Sequence, residues 1–385
     1  MTIFGSLLRQ IDDPDFRLKL VCSQIEVKLG LGAVELRLLG SSDHAEVYDI
    51  VSERMGDNTL VVKTPPFRRL GDQTRDGRDA FDAGCFAILG EMGALSRIGN
   101  CAFVNAAQYA QLAYDVPILI FRKRHGDLRQ LINASTSAGD MFVRLAALHM
   151  IARGLVAAQL KGVLIHQDLK PENILIDFAS KHFQLDGDFP ALVIPRINDF
   201  ELMNRLIGRR LRGFRPYLPA EHYADAGQEI APDNRYDIYS LAVIAHELLT
   251  CGFHPIPSAD PKGLHCSNYV NGFTSGFSSE EKWKKFARKP ASEKPLPAIE
   301  DRALAAVLSA ALDPDHRNRP AAAEMAGAFA TAMARQDPKA AEQISVTVDW
   351  LEQSGETGSG ASGRFPDEAR KILAGAPEWP VSELG

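Results

Sequence analysis

Cysteine is scarce in this chain and poorly placed for cross-linking. The 385 residues hold five, Cys22, Cys85, Cys101, Cys251 and Cys266, an odd number at wide spacings with no C-x-x-C pair. A disulfide framework or a zinc site is therefore not expected, and a reducing cytosol fits the chain. Basic charge is also short. Lys and Arg number 43 against 49 Asp and Glu, a formal net charge of -6, which argues against a whole-protein nucleic-acid binder. Met1 to Arg9 lacks a basic start followed by a long apolar core, so no signal peptide is expected. No run approaches 18 apolar residues, so no transmembrane helix is expected and the chain reads as cytoplasmic. No internal repeat is visible. What remains is ordinary: 45% hydrophobic and 24% charged residues, enough for one large domain or two lobes with their own cores.

The first third is rich in strand patterns. Residues 1–35 read as a helical or mixed extension, broken by Pro14 and by Gly30-Leu31-Gly32. Strand-like runs follow at Val34–Leu39, Ala45–Val51 and Thr59–Lys63, with Gly56-Asp57-Asn58 as a hairpin turn signal. Residues 65–78 read as an exposed polar loop. The spacing of Ile88, Met92 and Leu95 predicts a helix over Asp79–Ile98, stopped by Gly99-Asn100. Two further strands are expected near Ala102–Ala110 and Pro117–Phe121.

After His125-Gly126 the pattern turns helical. Asp140 is a candidate N-cap for a helix with Leu145, Leu148, Ala152 and Leu155 on one face. Residues 238–249 are apolar nearly all round, as a buried helix is. Ala-rich helices are expected at 301–312 and 321–335, then a Gly/Ser-rich linker over Ser354–Gly363 and a tail with one short helix.

The segment His166-Gln167-Asp168-Leu169-Lys170-Pro171-Glu172-Asn173 follows a helix, contains a proline and runs into an apolar strand-like stretch. Within eight residues it offers a carboxylate, an amine and an amide. Phosphoryl transfer needs those three: a group to orient the attacking hydroxyl, a cation for the moving phosphoryl group, and a metal ligand. Any one of them alone would be read as part of a polar loop. Together they form a specific pattern.

The segment resembles the catalytic loop H-R-D-L-K-P-E-N of eukaryotic-type (Hanks-type) Ser/Thr protein kinases, with Gln167 in place of Arg. The resemblance implies that Asp168 is the catalytic carboxylate, that Lys170 neutralises the phosphoryl group, and that Asn173 binds Mg²⁺. Arg196-Ile197-Asn198-Asp199-Phe200-Glu201 resembles the D-F-G motif, with Glu201 for Gly, and implies that Asp199 binds Mg²⁺; an inserted segment near Ser180–Pro190 lengthens the gap before it. Leu60-Val61-Val62-Lys63 resembles V-A-I-K, so Lys63 would grip the ATP phosphates, and Glu91 on the helix would pair with it. An exposed helical Glu is the plainer reading of Glu91. Gly40 to Tyr48 aligns with the glycine-rich loop, of which Gly40 and Val47 survive, while Asp43 and Glu46 would bring negative charge near the phosphates. Ile118 to Lys123 resembles the hinge that reads adenine. Ile120 falls at the gatekeeper position, with Phe121 and Lys123 beyond it.

Scaffold positions agree. Gly213 to Glu221 resembles the end of an activation segment, with Phe214 for Thr; Glu221 would pair with Arg319, and Asp237 would brace the catalytic loop. With Gln167 in place of Arg, and no Ser, Thr or Tyr between Glu201 and Pro216, control by activation-loop phosphorylation is not expected. Arg205, Arg209, Arg210, Arg212 and Arg215 read either as a patch for an acidic or phosphorylated substrate, or nucleic acid, or more simply as a solvated loop.

The resemblance implies an α+β, two-lobed fold with ATP and Mg²⁺ in the cleft. Residues 1–35 would be an extension, 36–336 the kinase domain (lobes at about 36–124 and 125–336), and 337–385 a linker and tail. The expected activity is transfer to Ser or Thr of a protein substrate, without a membrane. A pseudokinase that holds nucleotide without turnover, and a phosphotransferase for a small molecule or RNA, are the competing readings. Lys170 and the Glu221/Arg319 pair weigh against the second of these.

Overall fold

A computed structural model describes residues 13–55, 59–70, 75–134, 141–178, 193–200, 215–223, 233–269 and 280–354. The expectations for Gly56–Asn58, Asp140, the insertion at 180–190, residues 201–214 (including Glu201, Phe214 and four of the arginines) and the linker and tail beyond Ser354 lie outside them. The chain divides into two compact units, residues 1–99 with 106–123, and residues 100–105 with 124–385. Strand-rich first unit and helical second unit make the fold α+β.

In the first unit, helix α1 (Pro14–Leu29) precedes strands β1 (Glu35–Ser41), β2 (Glu46–Val51) and β3 (Leu60–Thr64). Helices α2 (Phe67–Leu70) and α3 (Arg75–Ile98) follow, then β4 (Tyr109–Ala113) and β5 (Val116–Arg122). The strands form one antiparallel sheet in the order β1-β2-β3-β5-β4. Pro14 starts α1 rather than breaking it: it sits in the first turn, where no N–H partner is needed, behind the Asp13 cap. Val21 and Ile25 of α1 pack with Tyr48, Ile50, Val62, Ile118 and Ile120 on one face of the sheet, so this extension is part of the unit's core.

Of the region expected as an exposed loop, residues 71–74 lie outside the described ones, and 67–70 and 75–78 are instead α2 and the start of α3. Phe67 is fully buried and stacks against Phe81 at 5.9 Å, which overrides the polar character of its neighbours.

In the second unit, β6 (Gly126–Asp127), α4 (Leu128–Ala134) and α5 (Met141–Leu160) lead to β7 (Ile174–Phe178) and β8 (Val193–Ile197). Helix α6 (Tyr236–Leu249) is buried at every residue. Short strands β9 (Phe253–His254) and β10 (Leu264–His265) pair beyond it. Helices α7 (Glu280–Ala287), α8 (Arg302–Ala311), α9 (Ala322–Gln336) and α10 (Pro338–Ser354) complete the described chain.

Helix α5 has the length and apolar composition to cross a membrane, but most of it is buried as a core helix. The strand expected at Ala102–Ala110 begins only at Tyr109. Residues 101–105 are a buried loop: the Phe103 carbonyl accepts from Ile197 N–H at 2.9 Å, and Asn105 N–H donates to the Ile197 carbonyl at 2.8 Å. That apolar run belongs to the second unit's core, not to the sheet. Helix α10 was not expected; Ile344 and Val348 bury it on its neighbours.

Candidate active site

Lys63 stands near the end of β3, and Glu91 on the buried face of α3. Lys63 Nζ donates to Glu91 Oε2 at 2.8 Å, and the two residues are 8% and 1% exposed. An exposed helical glutamate is thereby excluded. Taking both charges out of water is tolerated because each neutralises the other. Val47 lies opposite Lys63 across the β2–β3 pair, and Leu119 opposite it across the β3–β5 pair, so both share its face.

Ile120 does not share that face. It pairs with Val62 and packs into the cluster under α1. Successive strand residues point to opposite faces, so the lysine's side belongs to Leu119 and Phe121; this corrects the placement of the gatekeeper at Ile120. Lys123 is committed within the unit: its N–H donates to the Thr59 carbonyl at 2.9 Å and its Nζ to Asp49 Oδ2 at 2.7 Å.

The β1–β2 hairpin also differs from its sequence reading. A β-bulge displaces the register between Leu38 and Gly40. At Gly40 an added Cβ would meet nothing within 4 Å, so the position does not require glycine. Asp43 and Glu46 do not stand as loose negative charges. Asp43 pairs with Arg69 at 2.6 Å. Glu46 is fully buried, and its carboxylate takes the Tyr48 hydroxyl at 2.7 Å and the Arg68 N–H at 3.3 Å. Burial, and then Glu46, push the Tyr48 phenol well up.

In the second unit the loop after α5 is fixed from below by α6. Asp237 is buried, and its two carboxylate oxygens accept the N–H groups of His166 (2.6 Å) and Gln167 (3.0 Å). Burial pushes the Asp237 carboxyl up, and His166 and the two N–H bonds pull the other way. Gln167 adopts φ 75°, a left-handed conformation that turns the chain toward Asp168. Asp168 Oδ2 accepts from Lys170 Nζ at 2.7 Å and from Asn173 Nδ2 at 3.1 Å, while Asn173 Nδ2 also donates to the Asp168 carbonyl at 2.9 Å.

Register between β7 and β8 brings the next motif alongside. Asn198 N–H donates to the Asn173 carbonyl at 2.9 Å, which sets Asp199, also left-handed at φ 68°, next to Asn173. His166 Nε2 is 2.8 Å from the Asn198 carbonyl, so that nitrogen carries the proton, and the ring meets Phe200 edge-on at 4.8 Å. Because Asn173 Nδ2 is spent on Asp168, its Oδ1 is the atom left to act as a ligand. With the Asp199 carboxylate this is a hard oxygen donor set, which suits Mg²⁺.

Supporting pairs surround the loop. Glu221 and Arg319 form a two-pronged ion pair at 2.8 and 2.6 Å, with the Arg319 side chain fully buried. Glu172, from the loop itself, accepts from Arg129 Nε at 2.9 Å, and Arg129 reaches Glu247 at 3.0 Å. The Tyr217 hydroxyl lies 2.9 Å from both Glu247 oxygens. This Arg129–Glu172–Glu247–Tyr217 cluster was not foreseen: its members lie far apart in sequence and no motif joins them.

The first unit thus holds a buried lysine–glutamate pair beside its sheet, and the second a braced loop presenting Asp, Lys and Asn next to a second Asp. Residues 34–328 match the protein kinase domain, and the chain belongs to that family. It is similar to the serine/threonine-protein kinase PknL of Mycobacterium tuberculosis, 30% identical over 220 residues, covering 55% of this chain and 47% of that protein. Similarity to the serine/threonine-protein kinase PkaB of Streptomyces coelicolor is 34% over 113 residues, covering 29% of this chain and 25% of that one. The human ankyrin repeat and protein kinase domain-containing protein 1 is 33% identical over 91 residues, covering 24% of this chain and 11% of its own length. The chain thus spans less than half the length of these relatives.

Proposed function

We propose that this protein transfers the γ-phosphoryl group of ATP, with Mg²⁺, to Ser or Thr of a protein substrate. The observation that carries the reading is the Asp168 carboxylate, fixed by Lys170 and Asn173 on a loop braced by Asp237. Asp168 would orient the substrate hydroxyl and take its proton, and Lys170 would neutralise the phosphoryl oxygens. Lys63, held by Glu91, would grip the nucleotide phosphates. Asn173 and Asp199 would hold Mg²⁺, which neutralises charge on the phosphates when bound. Family membership and the names of PknL and PkaB support a Ser/Thr-specific protein kinase; cytoplasmic location belongs to the same proposal.

Gln167 in place of Arg, and a segment from Glu201 to Pro216 without Ser, Thr or Tyr, support activity that does not depend on phosphorylation of that segment. Transfer of radiolabelled phosphate from ATP by the purified chain, abolished in Asp168→Ala, is the expected result. Nucleotide binding without transfer to itself or to any offered protein would favour the pseudokinase reading.

A further inference from the structure

In the family, a flexible glycine-rich hairpin covers the nucleotide phosphates and offers them backbone N–H groups. Here the tip of the equivalent hairpin, Ser42 to Ala45, is satisfied internally. Ser42 N–H donates to the Ala45 carbonyl at 2.8 Å. Ser42 Oγ accepts the N–H groups of His44 (3.3 Å) and Ala45 (3.1 Å). Three of the tip's N–H groups are thus engaged within the hairpin, two of them by one serine side chain.

The tip is also tied to the helices beside it. Asp43 pairs with Arg69 of α2, and Glu46 accepts the Arg68 N–H. The His44 carbonyl packs directly on α3 at Gly84: a Cβ added there would lie 2.6 Å from His44 O and 2.4 Å from Pro66 Cδ. Only a glycine permits so close an approach. Gly84 precedes Glu91 by two helical turns on the same buried face.

We propose that the β1–β2 hairpin is a fixed clamp on α3 rather than a cover for phosphates, and that it holds the helix so that Glu91 stays paired with Lys63. Ser42 and Gly84 are then positioning residues, acting on nucleotide through the Lys63–Glu91 pair. This inference rests on the kinase reading for its consequence, though not for its geometry. It supplies a reason for an active arrangement that needs no phosphorylated segment: the helix is held from the hairpin side at all times.

The test compares Gly84→Ala with Gly93→Ala. Both replace a glycine of α3 with a better helix former, but an added Cβ at Gly93 meets nothing within 4 Å. Hydrogen exchange across the hairpin and α3, and the affinity for Mg·ADP, are measured on the full chain. Gly84→Ala is expected to speed exchange in the hairpin and α3 together and to weaken Mg·ADP binding by about fivefold or more, as overpacking does. Gly93→Ala is expected to do neither. If Gly84→Ala behaves like Gly93→Ala, the clamp is wrong. Faster exchange with unchanged affinity rejects the link to the Lys63–Glu91 pair. Should Gly84→Ala fail to fold, Ser42→Ala decides: exchange quickened at His44 and Ala45 but not in α3 overturns the proposal. A wild-type chain that binds no nucleotide defeats the kinase reading, while exchange still decides the clamp.

Discussion

Removing the Glu91 carboxylate would take away the group 2.8 Å from the Lys63 ammonium, in a site where Lys63 is 8% exposed. Breaking one side of a buried pair costs about 3–5 kcal/mol, because the remaining charge loses the group that neutralised it. Glu91→Ala is therefore expected to lower unfolding free energy by about that much. Glu91→Gln, which keeps a hydrogen-bond acceptor for Nζ, should cost less. Equal losses for the two in denaturant melts would show that the charge pair is not what matters. Asp237→Asn makes a second test at this scale. Asparagine offers one oxygen where two N–H groups, of His166 and Gln167, need acceptors, so one buried donor is left at a cost of about 1–3 kcal/mol. Phosphoryl transfer should fall more than stability in this variant, since the loop that presents Asp168 loses its brace. The Lys63–Glu91 pair and the Asp237 brace under the His166–Asn173 loop were legible because their members belong to short motifs or stand in a fixed order along the chain. Ile120 was placed on the wrong face because strands alternate with period two, and a one-residue offset inverts every side chain. Glu46 was misjudged for a related reason: its partners, Tyr48 and Arg68, are set by strand parity and by a short helix that composition hides.

Helix α10 shows what sequence reading loses at the scale of elements. Ile344, Val346, Thr347 and Val348 are β-branched, which lowers intrinsic helix propensity, and the Gly/Ser-rich run after it draws attention to a linker. Tertiary contacts decide the outcome. Val348 is fully buried and Ile344 nearly so, while Arg153 of α5 donates to Glu352 at 2.9 Å and to Asp349 at 3.1 Å. Neighbouring valines on the helix provide a matched comparison, for Val346 is 49% exposed. Val348→Ala should destabilise by about 2–3 kcal/mol through lost burial and the cavity left behind. Val346→Ala should stay within about 0.5 kcal/mol, as surface changes do. Similar effects from the two would mean that α10 is not docked through this face. Helices α6, α8 and α9 were legible for the opposite reason: their apolar content and Ala-rich composition agree with their burial, so propensity and packing point the same way.

Taken whole, the chain builds two separately cored units, and their sensitivity to acid differs from what charge alone suggests. In the second unit His246 and His254 are buried and neutral. Burial pulls the His246 pKa down to about 4 and the His254 pKa down to about 3, against a hydrogen bond that raises each. Geometry agrees for His254. Its Nε2 faces the Pro216 carbonyl at 2.8 Å, while Nδ1 accepts the Ile256 N–H at 2.9 Å, so protonating Nδ1 would set two donors against each other. A histidine whose folded pKa is depressed binds fewer protons in the native state than in the unfolded one. Stability therefore rises with pH between the folded value and about 6.5, and is lost as pH falls through that window. Asp127, Asp237 and Glu247, whose carboxyls burial pushes up, act in the opposite direction. A single non-titrating replacement separates the contributions. His246→Gln keeps a donor for the Phe253 carbonyl, which His246 Nδ1 now meets at 2.6 Å, but cannot take up a proton. Between pH 6 and 5, wild type should lose about 1.2 kcal/mol more than this variant, the effect of slightly less than one proton. Parallel stability curves for the two proteins would show that His246 is not held neutral in the native state.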